Sequence, residues 1–233
     1  MKQTPMLYAT PMVQAIQEDR KTKTRRTRGL EDLVIYTDSG YIFFKKHTVK
    51  LDIHTWKEEI LKYCPYGQIG DLLWVKETFY AFGHWIEDEE TNKWSFVDET
   101  LIRGLSYCYY DNPPQNVRIK RTEGACYWYK RPSLFMPKVA ARIWLEITDV
   151  RVERLKDISE IDCIAEGIEH TATALYQGHS EKYYKDYCNF YSTEKLFPAE
   201  SFKSLWISIN GEDSWSKNHW VWVISFKKVN KPS

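Results

Sequence analysis

The fold is decided by residues 143–168, which read IWLEITDVRVERLKDISEIDCIAEGI. Residues 143–155 have strong strand character, because branched apolar side chains at their start alternate with Trp and Glu. The remainder predicts a compact helix that Asp157 or Ser159 caps and Gly167 ends. A strand followed at once by a helix indicates a sheet whose strands are separated by helices.

Other strands are predicted on both sides of this segment. The sequence LVIYTDSGYIFF, residues 33–44, predicts two short strands around an Asp-Ser-Gly turn. A buried strand is predicted over Leu72–Phe79, and a last strand over residues 218–229. Residues 80–130 are acidic and aromatic at their start, and they predict a β-ribbon that elaborates the core.

Helices are predicted at three further places. One follows Thr10, a second occupies residues 55–67, and a third opens at Pro198. The polar, tyrosine-rich residues 170–197 predict a second insertion or a mobile loop. The helix that opens at Pro198 has one apolar face, formed by Phe202, Leu205, Trp206 and Ile209.

Composition sets limits on the class of protein. The 233 residues suit one domain, residues 1–233, that is large enough to bury a core. The formal net charge is +1, so attraction to nucleic acid has to come from a local cluster of charges. Aromatic residues make up 15% of the chain, and aromatic side chains stack on bases as well as filling cores.

The cysteines and histidines predict a cytoplasmic protein without a metal or other cofactor. The five cysteines are odd in number and form no CxxC pair, which is typical of free thiols in a reducing compartment. The chain begins without a signal-peptide pattern and has no apolar run of about 20 residues, so we expect no membrane partner. None of the six histidines sits at metal-ligand spacing from a Cys or a second His.

The basic stretch DRKTKTRRTR, residues 19–28, directly follows the first predicted helix. Runs of positive charge usually form a solvated loop or edge strand. In a regular strand Lys21 and Thr24 point to opposite faces, so they share a site only where the chain turns between them. The end of a helix just before the stretch allows such a turn.

An ordered set of segments resembles the ASCH-domain proteins that phages and prophages carry. The segments are RKTKTRR (20–26), GDLLWVKETF (70–79), the long central run 131–168, LWISINGEDSW (205–215) and NHWVWVISF (218–226). This resemblance implies an α+β chain built on a PUA-like, mostly antiparallel β-barrel with inserted helices, a fold that many RNA-binding modules share. Regions 80–130 and 170–197 fall outside the resemblance and are interpreted as insertions.

One branch of this family hydrolyses the acetyl amide of acetylcytidine with a lysine, a threonine three residues later and a glutamate. The resemblance places Lys21 and Thr24 at the first two positions and makes Glu166 the candidate for the third. Thr24 would be the nucleophile, Lys21 its base, and Glu166 would orient the lysine or carry the proton. In an alternative mechanism Lys21 and Glu166 activate a water molecule and Thr24 only binds.

Several further residues are candidates for contact with the substrate. Glu77 ends an apolar strand and is expected to pair with an arginine such as Arg26 at the mouth of the barrel, or to line the pocket. The bracketed loop RPSLFMPK can clamp a base or phosphate, or can be a rigid connector. Trp85, Trp94 and Trp128 are better placed to meet a ligand than Trp206, Trp220 and Trp222, which we assign to the core. The predicted substrate-binding residues are Arg25, Arg26, Lys76, Glu77, Arg131, Ser133, Lys138 and Arg142.

The expected partner is therefore RNA or a modified nucleoside, and three alternatives stay open beside the amidohydrolase. The same residues suit a metal-independent ribonuclease, in which Lys21 and the arginines stabilise the phosphorane. They also suit a non-enzymatic module that binds RNA or modified bases. A phage–host interaction protein would keep the fold without the chemistry. The oligomeric state is not predictable from these patterns.

Overall fold

The computed structural model describes residues 1–31, 33–36, 41–44, 49–176, 179–189 and 196–232. The strands are β1 (Gln3–Leu7), β2 (Lys23–Arg26), β3 (Leu33–Tyr36), β4 (Tyr41–Phe44), β5 (Val49–Asp52), β6 (Leu72–Lys76), β7 (Phe79–Asp88), β8 (Lys93–Asp98), β9 (Cys108–Tyr109), β10 (Val117–Arg118), β11 (Tyr127–Arg131), β12 (Trp144–Arg154), β13 (His170–Tyr176), β14 (His179–Tyr184) and β15 (Trp220–Val229). The α-helices are α1 (Thr10–Gln17), α2 (Trp56–Glu59), α3 (Glu160–Ala165) and α4 (Pro198–Asn210).

The chain divides into two compact units. Unit 1 consists of Met1–Thr4, Gln14–Leu73 and Leu145–Asn230, and unit 2 of Pro5–Val13, Trp74–Trp144 and Lys231–Ser233. Each unit is described by itself below.

Unit 1 is built on a five-stranded sheet with the order β1-β6-β12-β15-β2. On β15, the consecutive residues 221–224 are all fully buried, which is typical of a strand that is covered on both faces. The strand β2 pairs antiparallel with β15 and places Thr24 opposite Ile224. The hairpin β13–β14 and the three-stranded sheet β3-β4-β5 also belong to this unit.

Unit 2 is built on a second sheet with the order β10-β11-β7-β8, and the short β9 pairs with β7. The β-ribbon predicted over 80–130 is present as this sheet. In the central strand β7, Ala81 lies opposite Tyr129 of β11, and Trp85 lies opposite Phe96 of β8. Directly opposed residues share a face, so this face has large side chains at its sides and small ones in the middle of β7.

Gly83 is the position on this face where a side chain cannot be accommodated. A Cβ at Gly83 would lie 2.0 Å from the carbonyl oxygen of Val97 and 2.9 Å from the ring of Phe96. Together with Ala81, this glycine keeps the centre of the sheet low between the aromatic side chains of β8 and β11.

The class of fold is as predicted, α+β and mostly sheet. The predicted strand 143–155 is β12, and Ser159 caps α3 by accepting a hydrogen bond from the backbone of Asp162. No closed barrel is found among the strands that the structure describes, so the barrel stays a prediction.

Two predictions differ from the structure in their detail. The strand predicted over Leu72–Phe79 is interrupted in the structure. The strand β6 ends at Lys76, and the next strand, β7, begins at Phe79. Ile209 was expected on the buried face of α4, but it is 60% exposed, whereas Phe202 is buried. Ile209 lies in the last turn of α4, one residue before the helix ends at Asn210. The predicted turn at residues 37–40 lies outside the described residues.

The insertion predicted over 170–197 contains the hairpin β13–β14, and residues 177–178 and 190–195 of it lie outside the described ranges. All five cysteines are free thiols. Within the described ranges, none of the helices combines the length and the apolar character that crossing a bilayer demands.

Candidate functional site

The basic stretch turns inward where α1 ends. Asp19 takes a left-handed backbone conformation, with φ 59°, and the amides of Arg20 and Lys21 both donate to the carbonyl of Ala15. This reversal buries Lys21, which is 4% exposed, and it is followed by the buried Thr24 and Arg25 on β2. The central residues of the stretch are therefore not a solvated basic face.

Lys21 and Glu166 form a buried ion pair. The Lys21 Nζ donates to the Glu166 Oε2 at 2.7 Å and to the Glu166 backbone carbonyl at 2.7 Å. Burial lowers the pKa of Lys21 below its ordinary value, and the contact with Glu166 acts in the opposite direction. A lysine held in this way can act as an acid or a base.

A glycine makes the close approach of these two residues possible. Gly167 has φ +85°, and a Cβ there would lie 2.7 Å from the Lys21 Cβ and 2.9 Å from the Ala15 Cβ. The helix-ending role that the sequence assigns to Gly167 is therefore accompanied by a packing requirement.

Arg25 is the second cation on Glu166. Its Nη1 donates to the Glu166 Oε1 at 3.1 Å, and its Nη2 contacts Asp162 at 3.0 Å and also Glu153. Burial disfavours the charged guanidinium, but Glu166 and Glu153 favour it, and the pKa of Arg25 is raised. Lys23 and Arg151 complete the network by pairing with Asp162. Four cations thus meet three carboxylates in unit 1.

Thr24 does not join this network. Its hydroxyl has no hydrogen-bond partner among the described residues, and the residue has no exposed surface. The structure therefore unites Lys21 with Glu166 but does not connect the Thr24 hydroxyl to either of them. Arg26, the next predicted binding residue on β2, is half-buried and donates to the carbonyl of Arg25.

In unit 2, the arginine that pairs with Glu77 is Arg142, whereas the sequence had suggested Arg26. The Arg142 Nε and Nη2 donate to the two Glu77 carboxylate oxygens, each at 2.9 Å, and its Nη1 contacts Asp111. Burial acts against the charged form of Arg142, but these hydrogen bonds raise its pKa above the ordinary value. The guanidinium also lies 4.0 Å from the ring centroid of Tyr109. All of these contacts fix Arg142 in place.

The loop that follows β11 is a pair of tight turns. The first turn begins at Ser133, and the second begins at Lys138. The Lys138 ammonium lies 5.7 Å from the ring centroid of Trp144. Lys76 donates to the carbonyl of Leu134 within this loop. Met136 is buried as a rigid connector predicts, whereas Phe135 is exposed.

A cavity of about 850 Å³ lies in unit 2. Three of its walls are aromatic, contributed by β7, β8 and the loop after β11. The cavity is lined by Trp85, Trp94, Phe96, Tyr129 and Phe135 together with Arg118, Arg121 and Arg131. We refer to this feature as the aromatic–arginine cavity.

Three of the side chains that line this cavity each have a buried polar atom without a partner among the described residues. These atoms are the Nε1 of Trp85, the hydroxyl of Tyr129 and the Nε of Arg131. Leaving a buried donor unpaired costs about 1–3 kcal/mol each, so such a group calls for an explanation. A ligand in the cavity that accepts these hydrogen bonds would provide one.

Arg131 is the central cation of the cavity. It is 9% exposed, and its guanidinium carbon lies 4.3 Å from the ring centroid of Phe96, 4.7 Å from that of Trp85 and 5.2 Å from that of Phe135. Burial lowers the pKa of Arg131, although Asp98 favours its charged form. Among the described residues it forms no ion pair, in contrast to Arg25 and Arg142.

The sequence identified part of this cavity and missed part. Arg131 was predicted as a binding residue, and Trp85, Trp94 and Trp128 were expected to meet a ligand. Trp85 and Trp94 line the cavity, whereas Trp128 does not. Arg118 and Arg121 were missed, because only the pairing of β10 with β11 brings their segment to the cavity. Their signal in the sequence was the run RIKR beside an aromatic strand.

We expect Glu166→Gln to destabilise the chain more than Lys21→Met. The first change leaves two buried cations without their shared carboxylate and should cost about 3–5 kcal/mol of unfolding free energy. The second leaves Glu166 bonded to Arg25 and should cost about 1–2 kcal/mol. Urea unfolding measures both, and Glu160→Gln, an exposed change on α3, is the matched control with a loss of about 0.5 kcal/mol or less.

The stability of the Glu166→Gln variant is also predicted to depend on pH. Without Glu166, the pKa of Lys21 in the folded chain falls further below that of the unfolded chain. The unfolded chain then binds more protons between these two values, so the stability of Glu166→Gln should rise with pH up to about 10.5. Equal losses for the two variants, or a stability that falls over this range, would contradict the assigned ion pair.

Comparison with known proteins does not add to these observations. No protein-family model, no curated protein and no solved structure matches the chain. The ASCH family accordingly stays an expectation from the sequence motifs, and the function has to be argued from the geometry of the chain itself.

Proposed function

We propose that this chain binds single-stranded RNA or a modified nucleoside, and that the aromatic–arginine cavity of unit 2 holds the base. The observation that carries the proposal is a cavity with aromatic walls in which three lining residues, Trp85, Tyr129 and Arg131, each have a buried polar atom without a partner among the described residues. The proposal includes the phage-type ASCH family, its PUA-like barrel and a cytoplasmic location, for which the free thiols are suitable.

The size and walls of the cavity suit a planar ring. A volume of about 850 Å³ falls within the range of about 300–1,000 Å³ of small-molecule pockets. Trp94 and Phe96 occupy alternate positions on β8 and therefore share one face of the sheet. Base–aromatic stacking contributes about 1–3 kcal/mol per base and accepts any base, since each has a π face.

The unpartnered donors suit the edge of a base. Trp85 offers an indole N–H, Tyr129 a hydroxyl, and Arg131 an Nε–H, while bases present carbonyl oxygens and ring nitrogens as acceptors. Such edges are free only in unpaired bases, because base pairing occupies them in a duplex. This is why the proposal specifies a single strand or a free nucleoside.

The exposed arginines suit the phosphates. Arg118 and Arg121 line the cavity at its exposed side, and Arg121 also lies 4.9 Å from the ring centroid of Trp85. Two or three phosphate contacts would lower log K by about 0.7 per contact for each tenfold rise in salt. This modest dependence agrees with a net charge of +1, which provides no long-range attraction.

A second candidate function is hydrolysis of an acylated cytidine in unit 1. It is favoured by the buried Lys21, whose pKa is lowered and whose ammonium is held 2.7 Å from Glu166. The Thr24 hydroxyl has no exposed surface, so a substrate reaches it only if the segment moves. The alternative mechanism, in which Lys21 and Glu166 activate a water molecule, does not need that hydroxyl.

Trp94→Ala should weaken the binding of labelled single-stranded RNA by roughly 5- to 150-fold in Kd, through the loss of one stacking surface. The measurement is fluorescence anisotropy with single-stranded and duplex RNA. Trp128→Ala is the matched control, because Trp128 packs on Phe82, 5.6 Å between ring centroids, and does not line the cavity.

The arginines are tested in the same titration. Arg121→Ala should weaken binding and reduce the salt slope by about 0.7, whereas Lys120→Ala, with the same change of charge one residue away, should change neither. Equal effects of the two variants, or tighter binding to duplex RNA than to a single strand, would sink the proposed base-binding cavity.

The second candidate predicts that the unaltered chain converts acetylcytidine to cytidine and that Lys21→Met abolishes the conversion. Chromatography after incubation with micromolar protein measures this, and Lys228→Met on β15 is the control. Thr24→Val separates the two mechanisms: it stops the reaction only if Thr24 is the nucleophile. Absence of conversion removes the amidohydrolase, and intact labelled RNA in the same incubation removes the ribonuclease.

A further inference from the structure

We propose that His84, Glu99 and Cys126 form a binding site for a divalent transition metal of the zinc type, independently of the proposed base-binding function. All three residues belong to unit 2. Each offers one ligand atom, and the three atoms lie within 4.8 Å of one another. Histidine nitrogen, carboxylate oxygen and cysteine sulfur are the three ligand types that zinc takes in proteins.

The sheet brings these residues together from distant positions in the sequence. His84 lies on β7 opposite Val97 of β8, and Glu99 follows the end of β8, where its amide donates to the carbonyl of Phe82. Cys126 immediately precedes β11, the other neighbour of β7. The spacings of 99 − 84 = 15 and 126 − 99 = 27 residues match no metal motif, which is why the sequence predicted no metal.

The distances between ligand atoms suit tetrahedral coordination. With bonds of about 2.3 Å to sulfur and about 2.05 Å to nitrogen or oxygen, a tetrahedral centre separates sulfur from nitrogen by about 3.5 Å and nitrogen from oxygen by about 3.3 Å. The Cys126 Sγ lies 3.6 Å from the His84 Nδ1, and the same Nδ1 lies 3.0 Å from the Glu99 Oε1. The third pair, the Cys126 sulfur and the Glu99 carboxylate, lies within 4.8 Å.

The ligand atoms of Glu99 and Cys126 both lie close to one and the same nitrogen, His84 Nδ1. Without a metal the three side chains form a hydrogen-bonded cluster, in which the Cys126 thiol also bonds the Glu99 carboxylate. A metal would replace these hydrogen bonds, because each of the three atoms has a lone pair to offer once the thiol is deprotonated. A cation among the three atoms would satisfy the nitrogen lone pair, the carboxylate and the thiolate together.

The surroundings are consistent with a metal that keeps an open position. Arg103 donates to the other carboxylate oxygen of Glu99 at 2.7 Å, which orients Glu99 and leaves its Oε1 for the metal. Thiolate and carboxylate together neutralise a divalent charge. The side chains of His84 and Glu99 are partly exposed, so a fourth position is accessible to water. A thiolate and an imidazole favour zinc over magnesium or calcium.

The test uses the full chain with Zn²⁺ alone as the probe. Equilibrium dialysis with metal analysis should give one zinc per chain, and competition with a coloured chelator should give a Kd that Cys126→Ser weakens at least roughly tenfold. Cys108→Ser is the matched control, since Cys108 is a partly exposed thiol of the same unit on β9. The site would be overturned if the two variants bound zinc equally well. It would also be overturned if both variants bound zinc as tightly as the unaltered chain.

A second measurement uses the unaltered chain, so it does not depend on whether a variant folds. Alkylation of the unaltered chain, followed by mass spectrometry of the peptides, reports each cysteine separately. Zn²⁺ should slow the alkylation of Cys126 at least roughly tenfold and leave that of Cys108 unchanged. Unchanged rates at both cysteines would mean that His84, Glu99 and Cys126 form only a hydrogen-bonded trio.

Discussion

A charge that is removed from water has to be given a partner, and the Glu166 carboxylate shows how this chain meets that constraint. Glu166 ends α3, Lys21 follows α1, and Arg25 lies on β2, so one carboxylate holds three separate segments of unit 1 in place. An isolated buried charge would cost several kcal/mol, and shared pairing removes most of that cost. Lys21 and Arg25 of the basic stretch are inside the protein for this reason, and their charges serve the structure.

In unit 2, unlike the ion-pair network of unit 1, some buried polar groups have partners and others do not. Arg142 is bound by two carboxylates, whereas Arg131 has aromatic rings around it and an Nε without a partner among the described residues. The nearby donors of Trp85 and Tyr129 are likewise unpartnered. The contrast between satisfied and unsatisfied groups supports the proposed ligand site in unit 2, and it does so more directly than the density of charge along the sequence.

The sequence predicted those features that depend on local pattern. The strand over 143–155 and the helix after Pro198 follow from periodicity and capping. The turn expected after the first helix was to bring Lys21 and Thr24 together, but the structure pairs Lys21 with Glu166 and leaves the Thr24 hydroxyl without a partner among the described residues. Features that depend on strand register were not predictable. His84 contacts Cys126, and Arg121 contacts Trp85. Both contacts depend on the strand order β10-β11-β7-β8, which no local sequence pattern specifies.

The central claim is that unpaired bases enter the aromatic–arginine cavity. Ultraviolet cross-linking of oligouridylate to the full chain, followed by mass spectrometry of the attached peptides, tests it most directly. The account predicts cross-links at the cavity aromatics Trp94, Phe96 or Phe135. Cross-links confined to residues 19–28 would instead place the RNA on the basic stretch and contradict the account.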